Sequence, residues 1–150
     1  MTTSIGFSGT RKGMTDRQSE AVNVLLEYLI NHHNATEVHH GDCIGSDEQF
    51  HNMSAERLLK ITIHPPNNSK FRAFCNSKNI EEELNYLERN RNIIKKSNIL
   101  IATPDGGSLG THKSGTWYTI EYAINENIPT IILFPDGSRT LENFSKGVNE

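Results

Sequence analysis

Short apolar runs alternate with segments of helical period along almost the whole chain. Parallel strands need a long crossover between them, so this alternation points to an α/β protein with a mostly parallel sheet. The first run, Ser4 to Ser8, ends at Gly9, and Thr15 with Gln18 has the spacing of a capping box that opens a helix. Val22, Leu25, Leu26 and Leu29 give that helix one apolar face. A second strand is expected over Thr36 to His40, then a helix that Ser46 and Gln49 open with the same capping spacing and that turns Phe50 and Met53 inward. The third strand, Lys60 to His64, stops at Pro65 and Pro66. From Pro65 to Asn79 the chain is polar and reads as a long loop, of the kind that is usually functional or mobile. There follow a helix from about Glu81 to Lys96, a fourth strand at Asn98 to Thr103 and a Gly-rich loop to Ser114. A helix from about Thr116 to Asn127 and a fifth strand at Thr130 to Phe134 complete the pattern, and the polar tail after Pro135 carries no signal.

The 150 residues have the length of one ordinary domain, expected over 1–150. A net charge of −3 lacks the basic balance of a protein that grips nucleic-acid backbone, so DNA is not an expected partner. Cys43 and Cys75 lie in different surroundings and suit a reduced compartment better than a disulfide framework. There is no secretory pattern at the start and no apolar run near membrane-spanning length, so a cytoplasmic protein with no membrane partner is expected.

In such a fold the ligand crevice opens at the carboxyl ends of the strands, where strand order reverses. The segments that follow the strands therefore carry the chemistry. After the first comes "SGTRKG", in which Gly9 permits a tight path, Thr10 offers a hydroxyl and Arg11 a fork of donors for a phosphate or ribose. It is neither a P-loop nor a dinucleotide fingerprint; the plain alternative is a turn with a solvated Arg and Lys. After the second comes "HHGDCIGSDEQFH", where Gly41 and Gly45 allow close backbone approach. A helix starting near Ser46 aims free N–H groups and its positive dipole end into the crevice. His39, His40, Asp42, Asp47 and His51 invite a metal reading, but only Asp47 and His51 have helical i, i+4 spacing and no third ligand completes them, so no metal is expected.

In "ERNRNIIKKSN", Arg89 and Arg91 lie on a helix running back toward the amino ends of the strands. At ~1.5 Å per residue Arg91 stands only about 7 Å above the helix end, against roughly 16 Å for a five-residue strand. A long side chain covers most of that gap, and a helix that starts or breaks near Asn85 to Asn90 makes the reach easier. Ile80, Leu84, Leu87, Arg91 and Ile94 share one stripe, so Arg91 is expected to point inward, where it needs an anionic partner. The plain alternative is a solvated face. Last, "PDGGSLGTHKSGT" places Ser114, Gly115 and Thr116 at a helix start, which is phosphate chemistry again. Trp117 or Tyr118 offers a ring to a base, though such residues more often belong to the core. Lys12, Lys70, Arg72 and Lys113 would form a basic rim.

Four pieces, in order, resemble the SMF/DprA-LOG (SLOG) superfamily of Rossmann-like nucleotide-binding domains: "GFSGTR" at 6–11, "GDCIGSDEQFH" at 41–51, "RNRNIIKKSNILIA" at 89–102 and "SGTWYTIEYA" at 114–123. The second is similar to the Gly-x-x-x-Gly-x-Asp-x-x-x-His of DprA and the third to its Arg-Asn-Arg. The resemblance, which extends to small stand-alone phage and bacterial members, implies a Rossmann-like three-layer sandwich with a five-stranded, mostly parallel sheet of order 3-2-1-4-5. It also implies a nucleotide-type ligand across the carboxyl edge and a homo-oligomer. The ligand-binding set it points to is Gly9, Thr10, Arg11, Gly41, Asp42, Cys43, Gly45, Ser46, Asp47, Arg89, Arg91, Ser114, Gly115 and Thr116.

LOG enzymes carry Pro-Gly-Gly-x-Gly-Thr-x-x-Glu, whose Glu serves N-glycosidic cleavage. With Gly115 and Thr116 in that motif the Glu position is Thr119; with Gly110 and Thr111 it is Ser114. Neither supplies a carboxylate, so binding of a phosphorylated or signalling nucleotide is expected, with no catalytic residue and no cofactor. Should the chain cleave, Asp42, Asp47 or Glu121 is the expected acid.

Overall fold

A computed structural model describes residues 1–110 and 114–144. The chain runs β1 (Thr3–Gly9), α1 (Asp16–His33), β2 (Ala35–His40), α2 (Ser46–Glu56), β3 (Lys60–Ile63), a 3-10 turn (Ser69–Phe71) and β4 (Asn79–Ile80). It continues through α3 (Tyr86–Lys95), β5 (Ile99–Thr103), α4 (Gly115–Asn125), β6 (Thr130–Leu133) and β7 (Arg139–Glu142). One sheet of order β4-β3-β2-β1-β5-β6-β7 holds every strand, parallel throughout except where β7 pairs antiparallel with β6.

The expected five-stranded sheet of order 3-2-1-4-5 is thus corrected to seven strands among the described residues, with a further strand at each edge. β4 is two residues long, too short for any periodicity to mark it. β7 is polar and mostly exposed, and its sequence signal is the turn before it. There Gly137 takes a φ of +89°, Gly137 N–H donates to Phe134 O, and Ser138 bonds the Asp136 carboxylate through its backbone N–H and hydroxyl.

Alternation along β5 sends side chains to both faces of the sheet. Ile99 and Ile101 join Ile5, Phe7, Val38 and Phe50 under α1 and α2, while Leu100 and Ala102 join Trp117, Ile120 and Ile132 under α3 and α4. Phe7 and Phe50 stack with centroids 4.2 Å apart, pinning α2 to the strand that precedes the crevice. Each such fully buried side chain contributes about 1.5–3 kcal/mol.

The helix starts fix the phase of what they carry. Thr15 and Gln18 form the reciprocal capping box of α1, and Gln18 Nε2 donates onward to Pro104 O and Leu133 O. The box expected from Ser46 and Gln49 is corrected. Gly45 is the N-cap of α2, with no side-chain cap. Ser46 Oγ donates to Thr10 O at 2.7 Å and Gln49 Oε1 accepts from Met14 N–H at 2.7 Å, so both side chains tie α2 to the β1–α1 loop. Helix α3 starts at Tyr86 under an Asn85 cap, later than the residue-81 start read from the sequence. Ile80 and Leu84 precede it and do not define its inner face.

Candidate functional site

Two glycines bring the chain ends of β1 and β2 together. A Cβ on Gly9 would run into Thr103 Oγ1 and lie 2.5 Å from Ser46 Cβ. Gly45, at φ +88°, passes so near the Arg11 carbonyl that any side chain would overlap it. The start of α2 therefore lies directly against the turn after β1.

Beyond these contacts a crevice of about 440 Å³ opens at the carboxyl ends of the central strands. The β1 side contributes Gly9, Thr10, Arg11 and Lys12; the β2 side contributes Gly41, Cys43 and Asp47. Helix α3 contributes Tyr86, Arg89, Asn90 and Ile93, and the α4 start contributes Ser114, Gly115 and Thr116. Arg11 lies over the Phe71 ring at 3.9 Å, and Lys12 pairs with Asp105 at 3.3 Å. Ser114 is the N-cap of α4, its Oγ accepting from Trp117 N–H at 3.2 Å, and the space off Gly115 is open. A larger cavity of about 1300 Å³ lies between α1 and β6–β7, edged by Val24, Tyr28 and Leu141. Its lining is more apolar than that of the crevice, with Arg17, Glu20 and Arg139 among it.

The inward arginine is Arg89. It is 5% exposed, and its guanidinium donates to Gly41 O, to His64 O at 3.2 Å and to Asn90 Oδ1 at 2.6 Å, with Cys43 Sγ at 3.8 Å. A Cβ on Gly41 would occupy the space its guanidinium fills. The expectation that Arg91 points inward is corrected. With α3 phased from Asn85, residues 89, 90, 93 and 94 face the core and Arg91 is exposed, bonded to Tyr118 OH at 2.9 Å and lying over the Tyr118 and Tyr122 rings.

The three carboxylates separate sharply. Asp42 is fully buried but does not line the crevice. Arg72 Nε and Cys75 N–H, each at 2.9 Å, take up its carboxylate, and its carbonyl accepts from Ala73 N–H at 2.7 Å. Asp42 thus fastens the segment after β3 onto the β2–α2 turn. Glu121 accepts from Gly110 N–H at 3.2 Å, away from the crevice lining. Asp47 alone lines it. Cys43 N–H donates to Oδ2 at 3.2 Å, and Oδ1 is buried without a partner. Burial raises the carboxyl to about 6, opposed by the Arg89 charge. Burial, reinforced by the Asp47 charge, also raises the Cys43 thiol, which keeps it protonated.

Thr119, one of the two positions that the resemblance sets against the LOG glutamate, is fully buried and its hydroxyl donates to Gly115 O of its own helix at 2.9 Å. Trp117 is core, its indole N–H donating to Gly106 O at 2.7 Å. Neither Gly45 nor Ser46 lines the crevice; they shape it. In the expected basic rim Arg72 is committed to Asp42 and Glu83, and Lys70 lies over Phe71. Lys113 and Thr111 lie outside the described residues. Tyr86, missed in the sequence, enters the crevice as the first residue of α3; the Asn85 cap was its only signal.

Behind β2 the histidines form closed hydrogen-bonded chains. Asp42 N–H donates to His40 Nδ1, which puts the His40 proton on Nε2, facing His51 Nδ1 at 2.9 Å. His39 Nε2 meets Glu37 at 3.1 Å and its Nδ1 meets His64 Nε2 at 2.9 Å. Burial lowers all four, His64 to about 3, so they are neutral. Ligand atoms of His40, His51 and Cys75 lie within 4.8 Å of one another. A metal on His40 Nε2 requires the ring proton on Nδ1, where it would face the Asp42 N–H, so the cluster does not fit a metal.

No protein-family model and no curated protein matches the chain. Among solved structures, the molybdenum cofactor binding protein from the phototrophic bacterium Rippkaea orientalis is similar at a TM-score of 0.67 and 17% identity, over 89% of this chain and 77% of that one. The X-ray structure of the structural-genomics target TM1055 is similar at 0.62 and 15%, over 87% and 74%. At these identities the likeness is one of fold, Rossmann-like α/β. Among the described residues no helix is long and apolar enough to cross a membrane.

Proposed function

We propose that the chain holds a phosphorylated nucleotide, or a nucleotide-derived signalling molecule of cyclic or ADP-ribose-like type, as a sensor or sequestering protein of SLOG kind. One observation carries the reading. The cations Arg11, Lys12 and Arg89, the start of α4 and, from the first turn of α2, Asp47 line one crevice at the carboxyl edge of a Rossmann-like sheet. Helix N-termini and fixed cations in a narrow cleft favour a polyanion, and this edge is where open α/β sheets take ligands. A similar structure described as binding a cofactor supports a small-molecule ligand. Holding is favoured over cleaving because the α4 position that serves LOG enzymes as an acid is Thr119, buried and bonded within its helix. Association of two copies belongs to the same reading, and analytical ultracentrifugation tests it.

A second reading has its own support. Asp47 lines the crevice with a carboxyl raised to about 6, which suits a general acid for N-glycosidic cleavage. The two readings part on what is recovered. Incubation with a nucleotide panel, denaturation and chromatography of the released material should return intact nucleotide; free base with ribose phosphate would transfer the assignment to Asp47 as catalyst.

A further inference from the structure

Among the described residues four buried side-chain polar atoms lack a partner: Asp47 Oδ1, Ser54 Oγ, Tyr86 OH and Thr103 Oγ1. Asp47 and Tyr86 belong to the crevice lining. An unpaired buried polar atom costs about 1–3 kcal/mol, so two of them in one cleft describe the ligand group that completes them.

Their chemistry narrows that group. The carboxylate takes the Cys43 N–H on Oδ2 and is also stabilised by the Gly41 backbone, while Oδ1 has no hydrogen-bond partner of normal geometry. As a carboxylate Asp47 only accepts. It therefore calls for a donor and repels phosphate oxygens, which find their own partners at Arg11, Lys12 and the α4 start. Tyr86 OH both donates and accepts. An exocyclic base amine can donate to Asp47, but its delocalised nitrogen accepts poorly from a phenol. A sugar hydroxyl donates to the carboxylate and accepts from the phenol, and a vicinal diol supplies a second such group.

We propose that Asp47 and Tyr86 read the ribose hydroxyls, so that the site prefers ribonucleotides to 2′-deoxyribonucleotides. This rests on the nucleotide reading above. Phosphate then lies toward α4 and sugar toward α2, across the end of β1.

Isothermal titration tests it with the 5′-monophosphates of adenosine, guanosine, cytidine and uridine, their 2′-deoxy counterparts, and IMP, which lacks the adenine amine. The ribo form of the preferred base should bind about tenfold more tightly than its deoxy form, one lost hydrogen bond to a charged group. Asp47→Ala and the conservative Tyr86→Phe should each shrink that ratio toward one. Equal affinity for the two sugars overturns the inference and leaves nucleotide binding intact. A preference that follows the amine, or a ribose preference unchanged in both variants, also overturns it. Failure of every nucleotide to bind overturns both readings together.

Discussion

Two polar regions flank the β2–α2 turn, and they are built on opposite plans. On one side the four histidines pair nitrogen to nitrogen or to carboxylate and backbone, and burial keeps them neutral. On the other, Arg89 is seated on two carbonyls, while Asp47 and Tyr86, which line the cleft, each keep a buried atom without a partner. The difference separates scaffold from site. A buried polar group with every bond made stabilises the fold; of the four left open, those of Asp47 and Tyr86 belong to residues that line the crevice, where a ligand can complete them.

Breaking the seat of Arg89 should have the largest effect. Arg89→Ala leaves two carbonyls and the Asp47 charge uncompensated, and should lower stability by about 3–5 kcal/mol in urea unfolding, with loss of nucleotide binding. The histidine side should show itself through pH. His64 in the folded chain lies at about 3, below its unfolded value of 6.5, so the unfolded state takes up the proton first and stability falls as pH drops below 6.5. Near pH 5 that loss is about 2 kcal/mol from His64, and denaturant melts of His64→Asn should show a smaller drop between neutral and acid pH.

Asp47 has the opposite sign. Its folded value of about 6 lies above 3.8, so its burial costs stability that grows as pH rises from 3.8 through 6. Asp47→Asn should therefore stabilise the chain by about 1–3 kcal/mol near pH 8 and by little near pH 4, as expected of a group kept for binding. The smallest effect belongs to Arg91→Ala. Its side chain is exposed on Tyr118 and Tyr122, so stability should change by about 0.5 kcal/mol or less and nucleotide affinity not at all.

The inner strands and the places where they end were legible in the sequence, because apolar runs, Gly stops and the Thr15 capping box are local signals. What depended on phase was not. The Arg91 stripe counted Ile80 and Leu84 as helical, and moving the start of α3 to Tyr86 turned Arg89 inward. Ser46 and Gln49 had capping spacing but were drawn to the neighbouring loop, a tertiary contact with no sequence mark. Asp42 and Asp47 are equivalent by eye; only the segment around Arg72 and Cys75, folded back after β3, decides which one is consumed and which is left open. Tyr86 had no mark beyond the Asn85 cap before it, and its place in the crevice lining comes from the fold.

Amide chemical-shift mapping on ¹⁵N-labelled protein, titrated with the 5′-mono- and diphosphates of the four ribonucleosides, tests the central claim most directly. The amides of Gly9 to Lys12, Gly41 to Asp47 and Ser114 to Thr116 should move together and saturate, with the α1–β7 face unchanged. Shifts confined to Val24, Tyr28 and Leu141, or no shift with any nucleotide, would contradict it.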